Sequence, residues 1–152
     1  MSYDLTFALP DRPLGPSGRP DGAPDADVWR HLVDHARSIL DDAMVSLTNE
    51  YGQVDDEATG IQLQVTATTA RISVPYWHFE QPASIIGTLF QLAEIVEQKT
   101  GLSGVDPQVG MPVEQARQNL ELVITAYTNV ALMFERRART EARIAARRAE
   151  RD

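Results

Sequence analysis

Three groupings of side chains in this sequence have types and spacings that could do chemistry. His31 and His35 stand four apart, which on a helix puts two imidazoles on one face, as in a pair of metal ligands. A metalloprotease helix carries glutamate directly after its first histidine; here that position is Leu32, and no third ligand presents itself. Two solvent-facing helix histidines, or one at the edge of the core, account for the pair, and no metal is expected. The run Tyr76-Trp77-His78-Phe79-Glu80 is the densest aromatic cluster, with three of the ten Phe, Tyr and Trp residues inside four positions. A histidine two residues before a glutamate could serve as an acid–base pair or a ligand cradle. Alternatively, these aromatics seal the open face of a sheet against the C-terminal helix. Strand alternation would in either case send Tyr76 and Trp77 to opposite sides. The third grouping is of carboxylates, Asp55-Asp56-Glu57 and, further on, Asp106, each available to a basic partner.

Nothing else in the chain carries the mark of a catalyst. It holds no G-x-S-x-G, no G-x-x-x-x-G-K-[ST] and no G-x-G-x-x-G. It has no cysteine, so no disulfide scaffold, thiol nucleophile or zinc knot is possible. No catalytic residue and no cofactor is therefore expected. Charge says more. Residues 1–134 carry 18 acidic and 7 basic side chains, whereas residues 135–152 carry 4 acidic side chains and 7 arginines. An acidic body repels phosphate backbones and attracts basic proteins, which disfavours nucleic acid except through the basic tail. No apolar run approaches the roughly 20 residues that span a bilayer. The start, Met1-Ser2-Tyr3-Asp4, lacks the basic and apolar regions of a signal peptide. A cytoplasmic protein without membrane contact is the expectation.

The elements that must position these residues can be read from periodicity. Tyr3, Leu5, Phe7 and Leu9 alternate as in a half-buried strand. Residues 10–24 hold five of the nine prolines and read as a flexible surface loop. From Asp25 or Asp27, Val28, Leu32, Ile39, Ala43 and Leu47 recur near helical spacing, which predicts a helix to Leu47 or Tyr51. An acidic connection over Gln53 to Gly60 follows. The alternation of Ile61, Leu63, Val65 and Ala67, then of Ile72, Val74 and Tyr76, predicts a hairpin with one face on a core. Pro82 opens a second helix that closes at Lys99-Thr100-Gly101. Val105 and Val109 around Asp106-Pro107-Gln108 could form a short edge strand or an extended loop, and residues 113–150 read as one long helix.

The order β-α-β-β-α-β predicts an α+β fold, a ferredoxin-like sandwich with an additional long C-terminal helix. Residues 1–134 make one domain at this length, and residues 135–152 a basic Ala/Arg-rich helical extension. In that extension Ala138, Ala142, Ala145 and Ala149 repeat at the period of a coiled-coil seam, a candidate homodimer contact. A solvated helix end of high intrinsic propensity explains the same pattern.

Tyr3-Asp4-Leu5, Ile72-Ser73-Val74-Pro75-Tyr76-Trp77 and the stretch from Thr100-Gly101 to Val105-Asp106-Pro107-Gln108 together resemble small uncharacterised actinobacterial proteins, some of them immunity-protein-like. The resemblance covers residues 1–9 and 70–110 and implies a binding role with no functional residue to transfer. The expected function is a non-enzymatic protein-binding module, an immunity-type inhibitor whose acidic surface covers a basic bacterial toxin. The partner would meet Asp55, Asp56, Glu57, Tyr76, Trp77, His78, Glu80 and Asp106. Two alternatives remain: a dimeric ferredoxin-like regulator that binds a small ligand, and an enzyme that uses His78, Glu80 or Asp106 without a recognised motif.

Overall fold

The alternation of Tyr3, Leu5 and Phe7 becomes strand β1 (Ser2–Ala8), with all three side chains buried. This is a computed structural model, and it describes residues 1–10 and 22–151. Helix α1 (Ala26–Ile39) starts as its cap predicts: the Asp25 carboxylate accepts the Asp27 and Val28 backbone N–H groups at 3.1 and 3.2 Å. It buries Trp29, Leu32, Val33 and Ala36. Most of the expected loop over residues 10–24 lies outside the described residues. Its exit is anchored where Gly22 O accepts from Ala67 N at 3.0 Å and Ala23 N donates to Asn49 O at 3.2 Å.

After Ile39 the chain departs from expectation. Leu40 is buried and extended (φ −104°, ψ 116°), so the helix ends there rather than at Leu47 or Tyr51. Ala43–Leu47 is strand β2 and Gly52–Asp56 is strand β3, where an acidic connection was expected. Ala43 and Leu47 lie four apart and so fit a helical repeat equally well. What decides the matter is β3, whose Val54 stands opposite Val45 and supplies a ladder that no local propensity could announce. The predicted hairpin follows as β4 (Gln62–Val65) and β5 (Thr69–Pro75), and the predicted second helix as α2 (Pro82–Thr100), closed by left-handed Gly101. Then come β6 (Ser103–Asp106), β7 (Met111–Pro112), α3 (Val113–Arg117) and α4 (Leu120–Arg151). The single helix expected from residue 113 is thus two. Three-residue bonds from Gln118 N to Gln115 O and from Asn119 N to Ala116 O tighten the break, and Asn119 Nδ2 donates to the Gln115 carbonyl at 2.9 Å.

The protein is α+β, with one antiparallel sheet in the order β2-β3-β4-β5-β1-β6-β7. Seven strands stand among the described residues where four were expected. β5 and β6 flank β1, so α2 crosses over the strand between them. Helices α1 and α2 pack on one face of the sheet, with α4 beside α2. Leu5, Val54, Leu63 and Ile72 from the strands meet Leu32, Leu89 and Leu92 in that layer. Among the described residues no helix covers the other face. Its side chains come from the alternate positions, and the register sets out two rows: Met44, Asp55, Gln62, Ser73, Asp4, and Ser46, Gln53, Gln64, Arg71, Thr6, Val105.

Hairpin turns at the two ends of the sheet use two different caps. At one end Thr48 Oγ1 accepts from Glu50 N and Tyr51 N, and Thr66 Oγ1 accepts from Thr68 N and Thr69 N in the same way. At the other end Asp56 and Asp106 each begin a five-residue turn that finishes on a left-handed glycine, Gly60 or Gly110, whose N–H returns to the aspartate carbonyl at 2.7 and 2.9 Å. Both carboxylates also accept amides inside their own turn.

Candidate functional site

The bare sheet face carries a cleft of about 690 Å³ near the β3–β4 turn, lined among others by Met44, Gln53, Asp55, Glu57, Gln62 and Trp77. Asp55 is half-buried there; Gln53 Nε2 donates to its Oδ2 at 2.8 Å, and its buried Oδ1 meets no donor among the described residues. Glu57 is exposed on the rim. Trp77 is 68% exposed, and its ring lies over Gly60. A Cβ on Gly60 would fall 2.6 Å from Pro75 Cγ and 2.9 Å from the Trp77 ring. Its φ of +74° also favours glycine, so turn geometry and the indole's seat depend on the same residue.

The remaining expected residues are distributed by burial. Asp56 is buried in its turn, accepting Asp42 N at 3.1 Å, Thr59 N at 3.1 Å and Thr59 Oγ1 at 2.5 Å, so its carboxylate braces the cleft wall instead of meeting a partner. Asp106 is fully buried and lies away from the cleft, taking Tyr3 Oη at 2.6 Å and the Gln108 and Val109 amides. It is a turn cap and a core partner, not a surface ligand. Burial pushes its carboxyl above the usual range, with the Tyr3 hydroxyl pulling it partly back. Burial, and then the Asp106 carboxylate, raise the Tyr3 phenol.

Strand alternation holds through the aromatic junction. Tyr76 turns to the helix layer, stacked on Tyr127 at 5.1 Å between ring centroids and close to Phe134 at 5.8 Å, and Trp77 turns to the opposite side. Burial raises the Tyr76 and Tyr127 phenols. Of this cluster it is Tyr76 that packs against the C-terminal helix, on the face that already bears helices, while Trp77 stays on the other face, which no helix covers among the described residues. Tyr127 Oη donates to Pro75 O at 2.6 Å and accepts His78 N–H at 3.2 Å. The His78 ring bonds the Thr59 carbonyl through Nε2 at 2.7 Å, which fixes that nitrogen as the donor. Glu80 is exposed in a separate shallow groove of about 330 Å³ beside Trp77 and Phe79. His31 and His35 are exposed on α1, with His35 Nδ1 2.9 Å from the His31 carbonyl oxygen.

The structure thus brings Asp55, Glu57 and Trp77 together, with Asp56 beneath them, and keeps Asp106 apart. Met44, Gln53, Gln62 and Ser73 complete the cleft wall and were not singled out from sequence. Gln62 and Ser73 are the outward positions of the predicted hairpin, so their facing was legible. Met44 and Gln53 were hidden by the wrong assignment of β2 and β3. No family model, no curated protein and no solved structure matches this chain.

Proposed function

We propose that this chain is a non-enzymatic, cytoplasmic binding module that receives a basic protein on the open face of its sheet. The role suggested is that of an immunity-type inhibitor which covers the basic active site of a bacterial toxin. One observation carries it: an exposed indole stands in a cleft with a carboxylate whose buried Oδ1 meets no donor among the described residues. Residues 38–70, which build this end of the sheet, contain six acidic side chains and no lysine or arginine. A guanidinium or ammonium entering the cleft would find a charge-assisted acceptor in Asp55 and a cation–π surface in Trp77. Support against catalysis comes from His78, Glu80 and Asp106, which converge on no common point: one ring nitrogen is committed, one group is exposed and one is buried. Among the described residues no helix is long and apolar enough to cross a membrane.

The test is co-purification with the product of an adjacent gene, followed by titration calorimetry. Trp77→Ala and Asp55→Asn should each weaken binding about tenfold or more, as central anchor residues do. Failure to bind or protect against any locus-encoded toxin would sink the proposal. A second reading has one observation in its favour: β5 and β6 flank β1 with α2 crossing between them, and we read β4-β5-β1-β6 with α1 and α2 as a ferredoxin-like core to which β2-β3 and β7 are added. That core would dimerise and hold a small ligand on its sheet face. A strictly monomeric mass by light scattering would remove it.

A further inference from the structure

The two edges of the sheet are built differently. β7 is two residues long and ends in Pro112, which has no N–H to offer. Short edge strands and prolines are the usual protection against a further strand. β2, at the other edge, has neither: Ala43-Met44-Val45-Ser46-Leu47 contains no charge and no proline, and Met44 and Leu47 are exposed.

Its hydrogen-bonding sides follow from the turn. Thr48 N–H donates to Tyr51 O at 2.9 Å, so Thr48, Ser46 and Met44 point their backbone groups at β3. Ala43, Val45 and Leu47 therefore point theirs outward, and among the described residues no strand pairs with them. The surroundings are acidic on both sides of the strand: Asp41 and Asp42 precede it, Glu50 follows in its turn, and Asp55 pairs with Met44 on the neighbouring strand. No basic side chain occurs anywhere from residue 38 to residue 70.

We infer that β2 receives an extended segment of the partner as an eighth strand, and that this segment alternates basic with apolar side chains. The inference rests on the binding role proposed above and adds to it the mode of recognition. Backbone groups of Ala43, Val45 and Leu47 would supply the ladder, and alternate side chains would supply the selection. A residue of the incoming strand opposite Met44 would lie roughly 9–10 Å, two strand spacings, from Asp55 on the same open face. An extended arginine or lysine covers that gap to the carboxylate. The intervening side chains would turn to the helix side, against the partly buried Val45 and the exposed Leu47.

The probe is a short peptide alternating lysine and valine, titrated calorimetrically into the full-length chain. Two control peptides keep the length: one N-methylated on alternate backbone nitrogens, one with glutamate for lysine. Val45→Pro removes an outward N–H without touching the β2–β3 ladder, and Asp55→Asn with Glu57→Gln removes the charge. Expected is binding of the lysine peptide, weakened about tenfold or more by N-methylation, by Val45→Pro and by glutamate. Equal binding of the plain and N-methylated peptides overturns strand addition and leaves the acidic binding role standing, a result that does not depend on the variant's folding. Equal binding of the lysine and glutamate peptides overturns the basic partner. A mass that doubles with concentration in the free protein, and does not in Val45→Pro, overturns the proposal by giving the edge to a second copy. No binding of the lysine peptide at millimolar concentration overturns both the inference and the role beneath it.

Discussion

Asp106 shows how burial alone changes the meaning of a carboxylate. On sequence it counts among the acidic groups that could meet a partner; in the fold it is the acceptor for Tyr3 and for two amides of its own turn. Because burial raises its pKa, the protonated form is the one the fold favours. The stability due to this group is complete below the ordinary aspartate range, about 4, and declines as pH rises through the raised value. Asp106→Asn keeps an oxygen for Tyr3 and removes the titration. Urea midpoints should then show the variant gaining on the wild type as pH rises from about 4; a constant difference over that rise would contradict the shift. At Gly60 two constraints coincide, a positive φ and the Pro75–Trp77 contact. Gly60→Ala should cost about 1 kcal/mol or more and move the Trp77 emission, read by denaturation and fluorescence together. Neither role was legible in the sequence, since Tyr3 and Asp106 are 103 positions apart.

Among the elements, those whose signal is local were readable. Asp25 announced the start of α1, Pro82 and Gly101 bracketed α2, and alternation gave β1, β4 and β5. The errors fall on β2 and β3, where residues at helical spacing and a run of carboxylates concealed a pair of strands. A two-residue turn capped by Thr48 joins them, and the same device, capped by Thr66, joins β4 to β5. Thr48→Ala and Thr66→Ala should each destabilise by about 1 kcal/mol, from loss of a side-chain acceptor for turn amides, measured by chemical denaturation. The Thr66 change should be the larger, because Thr66 is itself buried and also bonds Thr69.

Over the whole molecule, charge and layers divide the labour. The acidic body presents a polar sheet face that no helix covers among the described residues, while α4 carries arginines beyond the body: past Glu135 every described side chain is exposed. On a helical projection Ala138, Ala142, Ala145 and Ala149 continue the stripe that begins with the buried Val123, Tyr127 and Ala131. Glu135 pairs with Arg139, the last ion pair along the helix among the described residues. Removing residues 140–152 should leave unfolding within about 0.5 kcal/mol of the intact chain, since nothing packed is lost; a larger change in thermal or urea unfolding would show that the extension supports the body.

By itself the sequence determined the α+β class, the central hairpin, the start of α1, helix α2, the basic extension and the opposite facing of Tyr76 and Trp77. Each of these is written in neighbouring residues, as period, cap or charge. Only the tertiary structure decided that β2 and β3 are strands, that Asp56 and Asp106 face inward, and that Asp55 and Trp77 share a cleft on an open sheet face. Those outcomes depend on pairing and burial between segments far apart in the chain, and such contacts have no local signature.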